Sequence, residues 1–190
     1  MDTLKKMILE HGEVKEGNIL KVDSFLNHQL DSEFLYKVGE EFYKLFKDEE
    51  ITKVLTIEVS GIALALMTGL FFKVPVVFAK KTVSLNLDKD IYTSKVFSYT
   101  KNQIYNIMIS KKYLGKSDKV LIIDDFLAEG NAIRGLIEIT QKSGAEIRGI
   151  GIAIEKGFQK GGRMLRSEGY NLKSLAIVDE LKPGSIKFRP

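Results

Sequence analysis

Two adjacent carboxylates, Asp124 and Asp125, follow an unbroken apolar run, Val120-Leu121-Ile122-Ile123, and precede the small-residue loop Ala128-Glu129-Gly130-Asn131-Ala132. The apolar run has the pattern of a strand buried on both faces, as in the centre of a parallel sheet. The strand is expected to end at the acid pair. Beyond the loop, Ile133, Leu136, Ile137 and Thr140 share one side of an amphipathic helix. Ligands of open α/β sheets sit beyond the carboxyl ends of the strands, and a helix N-terminus there offers free N–H groups to a phosphate. Paired carboxylates beside that phosphate can accept ribose hydroxyls and stabilise positive charge on a sugar, which implies a ribose 5-phosphate ligand. The same pattern also fits a magnesium site of a receiver domain or nucleotide hydrolase, or a simple helix cap.

A second unit of this kind lies upstream. Lys53–Ile57 reads as a strand and Ile62–Leu70 as an apolar helix, joined by Glu58-Val59-Ser60-Gly61. Gly61 permits a backbone conformation that turns N–H groups towards an anion, although an ordinary strand-to-helix turn fits equally well. Val74–Ala79 is the next strand, and Lys80 and Lys81 stand at its end. Beside an anion site Lys81 would neutralise phosphate charge; otherwise the pair is a solvated turn. Downstream, Ile147–Ile154 reads as a core strand that ends in Glu155-Lys156. These two form either a surface ion pair or an arrangement in which the Lys156 ammonium enters the site and donates to a carbonyl oxygen.

The remaining elements frame these units. Leu4, Met7 and Ile8 predict a helix over residues 3–11, and an extended piece, Ile19–Val22, leads into a polar turn at Asp23–Gln29. His28 in that turn has no partner at metal-ligand spacing, so it is read as facing solvent. Asp31 or Ser32 caps a helix carrying Phe34, Leu35, Val38, Phe42, Leu45 and Phe46 at helical period. Thr82–Ile91 is polar and aperiodic. Lys95–Thr100 and Gln103–Ser110 alternate as a hairpin turning at Lys101-Asn102, either an edge ribbon or a lid. A short helix over 161–169 and a closing strand, Leu175–Val178, complete the chain.

The composition narrows the class. The chain has 190 residues, 44% hydrophobic and 28% charged, without cysteine. That size suits one domain, and the absence of thiols is compatible with a reducing compartment. A formal charge of +4 spread along the chain favours an anionic small molecule over nucleic acid. Lys73 and Pro75 interrupt the apolar stretch from Gly61 to Ala79, so no membrane span is expected.

The segment VLIIDDFLAEGNA resembles the phosphoribosyl-pyrophosphate (PRPP) motif of type I phosphoribosyltransferases, departing at Glu129 and Asn131, where that motif commonly has Thr and Gly. With LKVDSFLNHQ, EVSGIA and GIAIEKGFQKGG, the resemblance narrows to the bacterial xanthine phosphoribosyltransferases over nearly the whole chain. It implies an α/β type I phosphoribosyltransferase fold: a mostly parallel central sheet flanked by helices, a small hood from both chain ends, and a flexible hairpin lid, all in one domain, 1–190. It implies catalytic roles for Asp124 and Asp125, xanthine contacts at Leu20, Asn27 and Lys156, and PRPP contacts at Ala128, Glu129, Gly130, Asn131 and Ala132. Ser60, Gly61 and Lys81 would hold pyrophosphate. Magnesium would be bound mainly through PRPP, with no metal ligands of the protein's own. The resemblance further implies a cytoplasmic homodimer acting in purine salvage, with neither nucleic acid nor membrane as partner. Ala128 stands where hypoxanthine-guanine enzymes carry an acid, which suits a purine as acidic as xanthine. Other acceptors (hypoxanthine, guanine or adenine) and a non-catalytic PRPP-binding regulator are the alternatives.

Overall fold

The computed structural model describes residues 1–81, 90–98, 103–182 and 184–190. Thr82–Lys89 of the aperiodic segment and the Lys101-Asn102 turn lie outside them. The helices are α1 (Asp2–His11), α2 (Ser32–Phe46), α3 (Gly61–Phe72), α4 (Asn131–Ser143) and α5 (Gly161–Ser167). The strands are β1 (Glu13–Lys15), β2 (Ile19–Lys21), β3 (Lys53–Ile57), β4 (Val76–Ala79), β5 (Ile91–Ser98), β6 (Gln103–Ser110), β7 (Lys119–Leu127), β8 (Glu146–Lys156), β9 (Leu172–Lys182) and β10 (Ser185–Phe188).

The central sheet has six strands in the order β10-β9-β8-β7-β3-β4. All neighbours are parallel except β10, which runs antiparallel to β9. The order doubles back at β3, so β3 and β7 lie side by side with their carboxyl ends together. This is where an open parallel sheet leaves a crevice. β7 is apolar up to the acid pair because both of its faces are covered. Leu121 and Ile123 pack with Leu26, Phe42 and Phe46 on the side of α1, α2 and α3. Ile122 and Val120 pack with Ile133, Leu136 and Ile107 on the side of α4 and the hairpin. Phe42 is fully buried, and truncating it to alanine is worth about 3–5 kcal/mol.

Several boundaries differ from expectation. β7 does not stop at the acids: Asp124 and Phe126 pair with Ile152 and Ile154 of β8, so the carboxylates sit within a strand. The closing strand is longer than Leu175–Val178 and is not the last, because β10 returns along it. The turn at Asp23–Gln29 is a wide helical turn whose Phe25 and Leu26 are buried. Asp31 caps α2 as expected, accepting the Phe34 N–H at 3.0 Å. The two chain ends meet the same side of the sheet: the Met1 ammonium donates to Leu175 O at 2.6 Å and Lys5 Nζ to Arg189 O at 2.9 Å.

The hairpin of β5 and β6 forms in register, Ile91 opposite Ser110 and Ser98 opposite Gln103. It begins four residues earlier than the alternation suggests. Its base is fastened to α4, with Ser94 Oγ donating to Glu138 at 2.6 Å and Lys142 Nζ to Thr93 O at 2.7 Å. Among the described residues no helix is long and apolar enough to cross a membrane.

Candidate active site

The acid pair stands near the carboxyl end of β7. Asp124 is 4% exposed, and its Oδ1 accepts the Asp125 N–H at 3.0 Å. Burial, then the adjacent Asp125 charge, pushes the Asp124 carboxyl well above the ordinary aspartate value. Burial also raises Asp125. Two like charges this close and this dry hold protons more tightly than free carboxylates. The arrangement is primed for cationic charge.

Two adjoining clefts open here, and the pair lines the smaller of them. The smaller, about 210 Å³, is bounded by Glu58, Ser60, Gly61, Lys81, Asp124 and Asp125. The larger, about 640 Å³, is bounded by the Ala128–Ala132 loop, Lys156, Gln159 and the β1–β2 turn at Gly17 and Ile19. Tyr105, Phe126 and Ala132 wall both.

In the smaller cleft, α3 starts at Gly61, and Ser60 makes no side-chain cap. Gly61 is not needed for an unusual φ. A Cβ there would collide with Thr56 Oγ1 and lie 3.1 Å from Asp124 Oδ1, so glycine is required for space. The Glu58 carboxylate accepts the Lys81 N–H at 2.5 Å, tying this loop to the end of β4. Lys80 is no free turn residue: its N–H and carbonyl both pair with Met108 of β6. The Lys81 ammonium lies 5.3 Å from the centre of the Tyr105 ring. Lys81, Ser60 and Gly61 are thus brought to the acid pair, as an anion site requires.

In the larger cleft the loop turns at Gly130, whose φ of +89° favours glycine. It then enters α4 at Asn131. Its back is braced by α5: the Gly161 N–H donates to Ala128 O at 3.0 Å, and Lys160 pairs with Glu129 at 3.1 Å. Gly161 lies so close that a Cβ would stand 2.8 Å from both Glu129 C and Gly130 N. Asn131 Nδ2 donates to Phe97 O of the hairpin at 3.0 Å. The departures from the motif therefore have occupations: Glu129 faces Lys160, and Asn131 joins loop to hairpin.

Glu155 and Lys156 are not an ion pair with each other. Glu155, 2% exposed, is gripped by both terminal guanidinium nitrogens of Arg166 at 2.7 Å and by Ser174 Oγ. Burial pushes its carboxyl up, but those hydrogen bonds and the Arg166 charge outweigh it and hold the group below the ordinary glutamate value. Lys156 lines the larger cleft, with Nζ 2.9 Å from Asn18 O. Burial lowers its pKa.

Leu20 and Asn27 are not among the walls of either cleft. Leu20 is 6% exposed and packs in the core with residues of α1. Asn27 Oδ1 is buried without a hydrogen-bond partner among the described residues. His28 is exposed. Tyr105, Phe126 and Gln159 were not anticipated. Tyr105 shares the inward parity of Ile107 and Ile109 along β6, a signal that strand alternation carries. Among the described residues no group of three or more His, Cys, Asp or Glu is placed to hold a metal ion.

Loops at the ends of two adjacent parallel strands, on either side of a buried acid pair and under a hairpin, define a type I phosphoribosyltransferase. The fold comparison agrees. Adenine phosphoribosyltransferase from Thermoanaerobacter pseudethanolicus superposes with a TM-score of 0.77 at 19% identity, over 93% of this chain and 98% of that one. The Giardia lamblia enzyme complexed with 9-deazaadenine gives 0.72 at 26% identity, over 86% and 87%. No protein-family model matches the chain. Sequence relatives are nearer: xanthine phosphoribosyltransferase 1 of Clostridium perfringens is 54% identical over the full length of both chains. Xanthine phosphoribosyltransferase of Ruminiclostridium cellulolyticum is 54% identical over 99% of each, and that of Ligilactobacillus salivarius 52% over 99% of this chain and 98% of its own. This chain belongs to the xanthine phosphoribosyltransferase family.

Proposed function

We propose that the chain transfers the 5-phosphoribosyl group of PRPP to N9 of xanthine, giving XMP and pyrophosphate. The observation that carries this reading is that Asp124 and Asp125 wall the smaller of two clefts that adjoin at Tyr105, Phe126 and Ala132. A ribose spanning them would put its 5-phosphate on the N–H groups of Ala128–Ala132 and its pyrophosphate on Ser60, Gly61 and Lys81. N9 attacks C1 as the C1–O bond breaks, the electron pair leaves with pyrophosphate, the imidazole proton of the base passes to solvent, and C1 inverts. The carboxylates oppose the charge that grows on the sugar, the kind of fixed electrostatic stabilisation that lowers barriers most. The hairpin would close over this step, since water competes for a ribosyl cation.

Xanthine would lie in the larger cleft, where the Lys156 ammonium, already on a carbonyl oxygen, exchanges Asn18 O for an oxygen of the base. Leu20 and Asn27 are carried by family resemblance; the unsatisfied Asn27 Oδ1 supports a polar role. Magnesium would enter with the substrate, held by diphosphate and ribose oxygens beside the acid pair, and would supply charge neutralisation for the leaving group.

The reading extends to a homodimer of single-domain chains in the cytoplasm, acting in purine salvage without nucleic acid or membrane. An apolar surface supports pairing: Val59, Leu66 and Leu70, just before and along α3, are 74%, 56% and 59% exposed. Sedimentation of the purified chain tests the dimer. Product formation from PRPP with xanthine, guanine, hypoxanthine and adenine tests the activity; strong preference for adenine would overturn the assignment.

A further inference from the structure

Lys156 and Gln159 belong to one tight turn after β8. The Gln159 N–H donates to Lys156 O at 2.9 Å, and the turn is pinned where the Gly157 N–H donates to Val178 O at 2.8 Å. Both residues wall the larger cleft. Gln159 Oε1 is shielded from solvent and has no hydrogen-bond partner among the described residues. A shielded carbonyl oxygen without a donor is costly, and most such groups are satisfied. Gln159 walls the cleft, so a turn of its side-chain amide would present this oxygen to a donor on a ligand there.

The geometry points to Gln159 as a specificity-determining residue of the purine site, its Oε1 accepting a ring N–H of the base beside the carbonyl oxygen taken by Lys156. The inference rests on the oxopurine reading above. An ammonium only donates, and this amide oxygen only accepts, so the pair reads a C=O next to an N–H. Xanthine has N1–H between its C2 and C6 carbonyls, and N1–H therefore adjoins whichever oxygen Lys156 takes. Adenine presents the reverse, an amino group beside a bare N1, and would set the Lys156 ammonium against a second donor. Hypoxanthine and guanine share the C6 carbonyl and N1–H, so this pair selects oxopurines as a class.

The test starts with wild-type turnover of xanthine; its absence would sink the activity reading, an outcome distinct from failure of the Gln159 assignment. In Gln159→Met, of similar length but without the acceptor, KM for xanthine should rise about ten-fold or more while KM for PRPP stays within about two-fold. Tm should be at or above wild type, because the unsatisfied oxygen is gone. On the wild-type enzyme, 1-methylxanthine, which lacks N1–H, should bind about ten-fold or more weaker than xanthine, and Gln159→Met should erase that preference. Unchanged xanthine KM in the variant, an equal rise in PRPP KM, a markedly lower Tm, or wild-type binding of 1-methylxanthine as tight as xanthine would each overturn the role of Gln159.

Discussion

The Asn131 side chain holds the hairpin. Its Nδ2 lies 3.0 Å from Phe97 O, so the first residue of α4 binds the hairpin through its amide while its backbone N–H stays at the helix start, where an anion would sit. Asn131→Ala removes the tether and keeps the N–H. Amide hydrogen exchange across 91–98 should quicken, consistent with a loss of about 1 kcal/mol locally, and PRPP KM should shift no more than about three-fold. A rise in KM by orders of magnitude, with exchange unaltered, would show that the side chain itself grips the phosphate.

Asp124 costs stability in the free protein. Its raised pKa means that the folded state keeps a proton the unfolded chain releases, so between the ordinary aspartate range and the raised value stability falls as pH rises. Asp124→Asn should therefore raise Tm at pH 7, with the gain disappearing below the ordinary aspartate range. Turnover should drop about a hundred-fold as the charge proposed to face the ribose is lost. In the wild type, kcat/KM for PRPP should decline towards acid with an apparent pKa above that of a free aspartate, a property of the pair rather than of either residue. Thermal melts across pH and a pH–rate profile check both; a lower Tm for the variant at neutral pH would contradict the account.

Gly161 sets the shape of the Ala128–Ala132 loop. An added Cβ would press on Glu129 C and Gly130 N at 2.8 Å, both backbone atoms that cannot swing aside. Gly161→Ala should raise PRPP KM about ten-fold or more, since displacing a positioning element by about 1 Å is enough, and should destabilise by about 1–3 kcal/mol. Gly115→Ala, where nothing lies within 4 Å of the added carbon, is the control and should match wild type in both measurements. Equal behaviour of the two variants would mean the loop adapts freely.

The parts legible in the sequence were those whose local pattern is imposed by a uniform environment. β7 reads as an unbroken apolar run because both faces are covered, and α2 keeps its period because one side meets the core. The acid pair, the two loops and the hairpin follow from residue types at short spacing. Other features depend on distant partners and leave no local periodicity. β10 is four residues long and exists because β9 offers an edge. Phe25 and Leu26 are buried inside what reads as a polar turn. The Glu155 partner, Arg166, lies eleven residues on, so nothing near Lys156 announces that Glu155 is already engaged. Gln159 is invisible for the same reason, since its unsatisfied oxygen is a property of the folded cleft.

Tyr105 offers a direct view of occupancy. It walls both clefts and its ring faces the Lys81 ammonium at 5.3 Å, and burial together with the Asp124 charge raises its phenol pKa. A substrate lying from one cleft to the other must pass this ring. The chain contains no tryptophan, so Tyr105→Trp introduces a single indole at the junction, with an apolar body and a polar N–H that suit the half-buried position. Binding of PRPP or pyrophosphate moves charge next to that indole and draws Lys81 towards the anion, weakening the cation–π contact, worth about 0.5–1 kcal/mol when exposed. Emission should shift in a saturable titration with either anion, and the pyrophosphate response should be reduced in the Tyr105→Trp, Lys81→Met double variant. Emission indifferent to PRPP, in a variant that still turns it over, would place the ribose away from the acid pair and the hairpin alike.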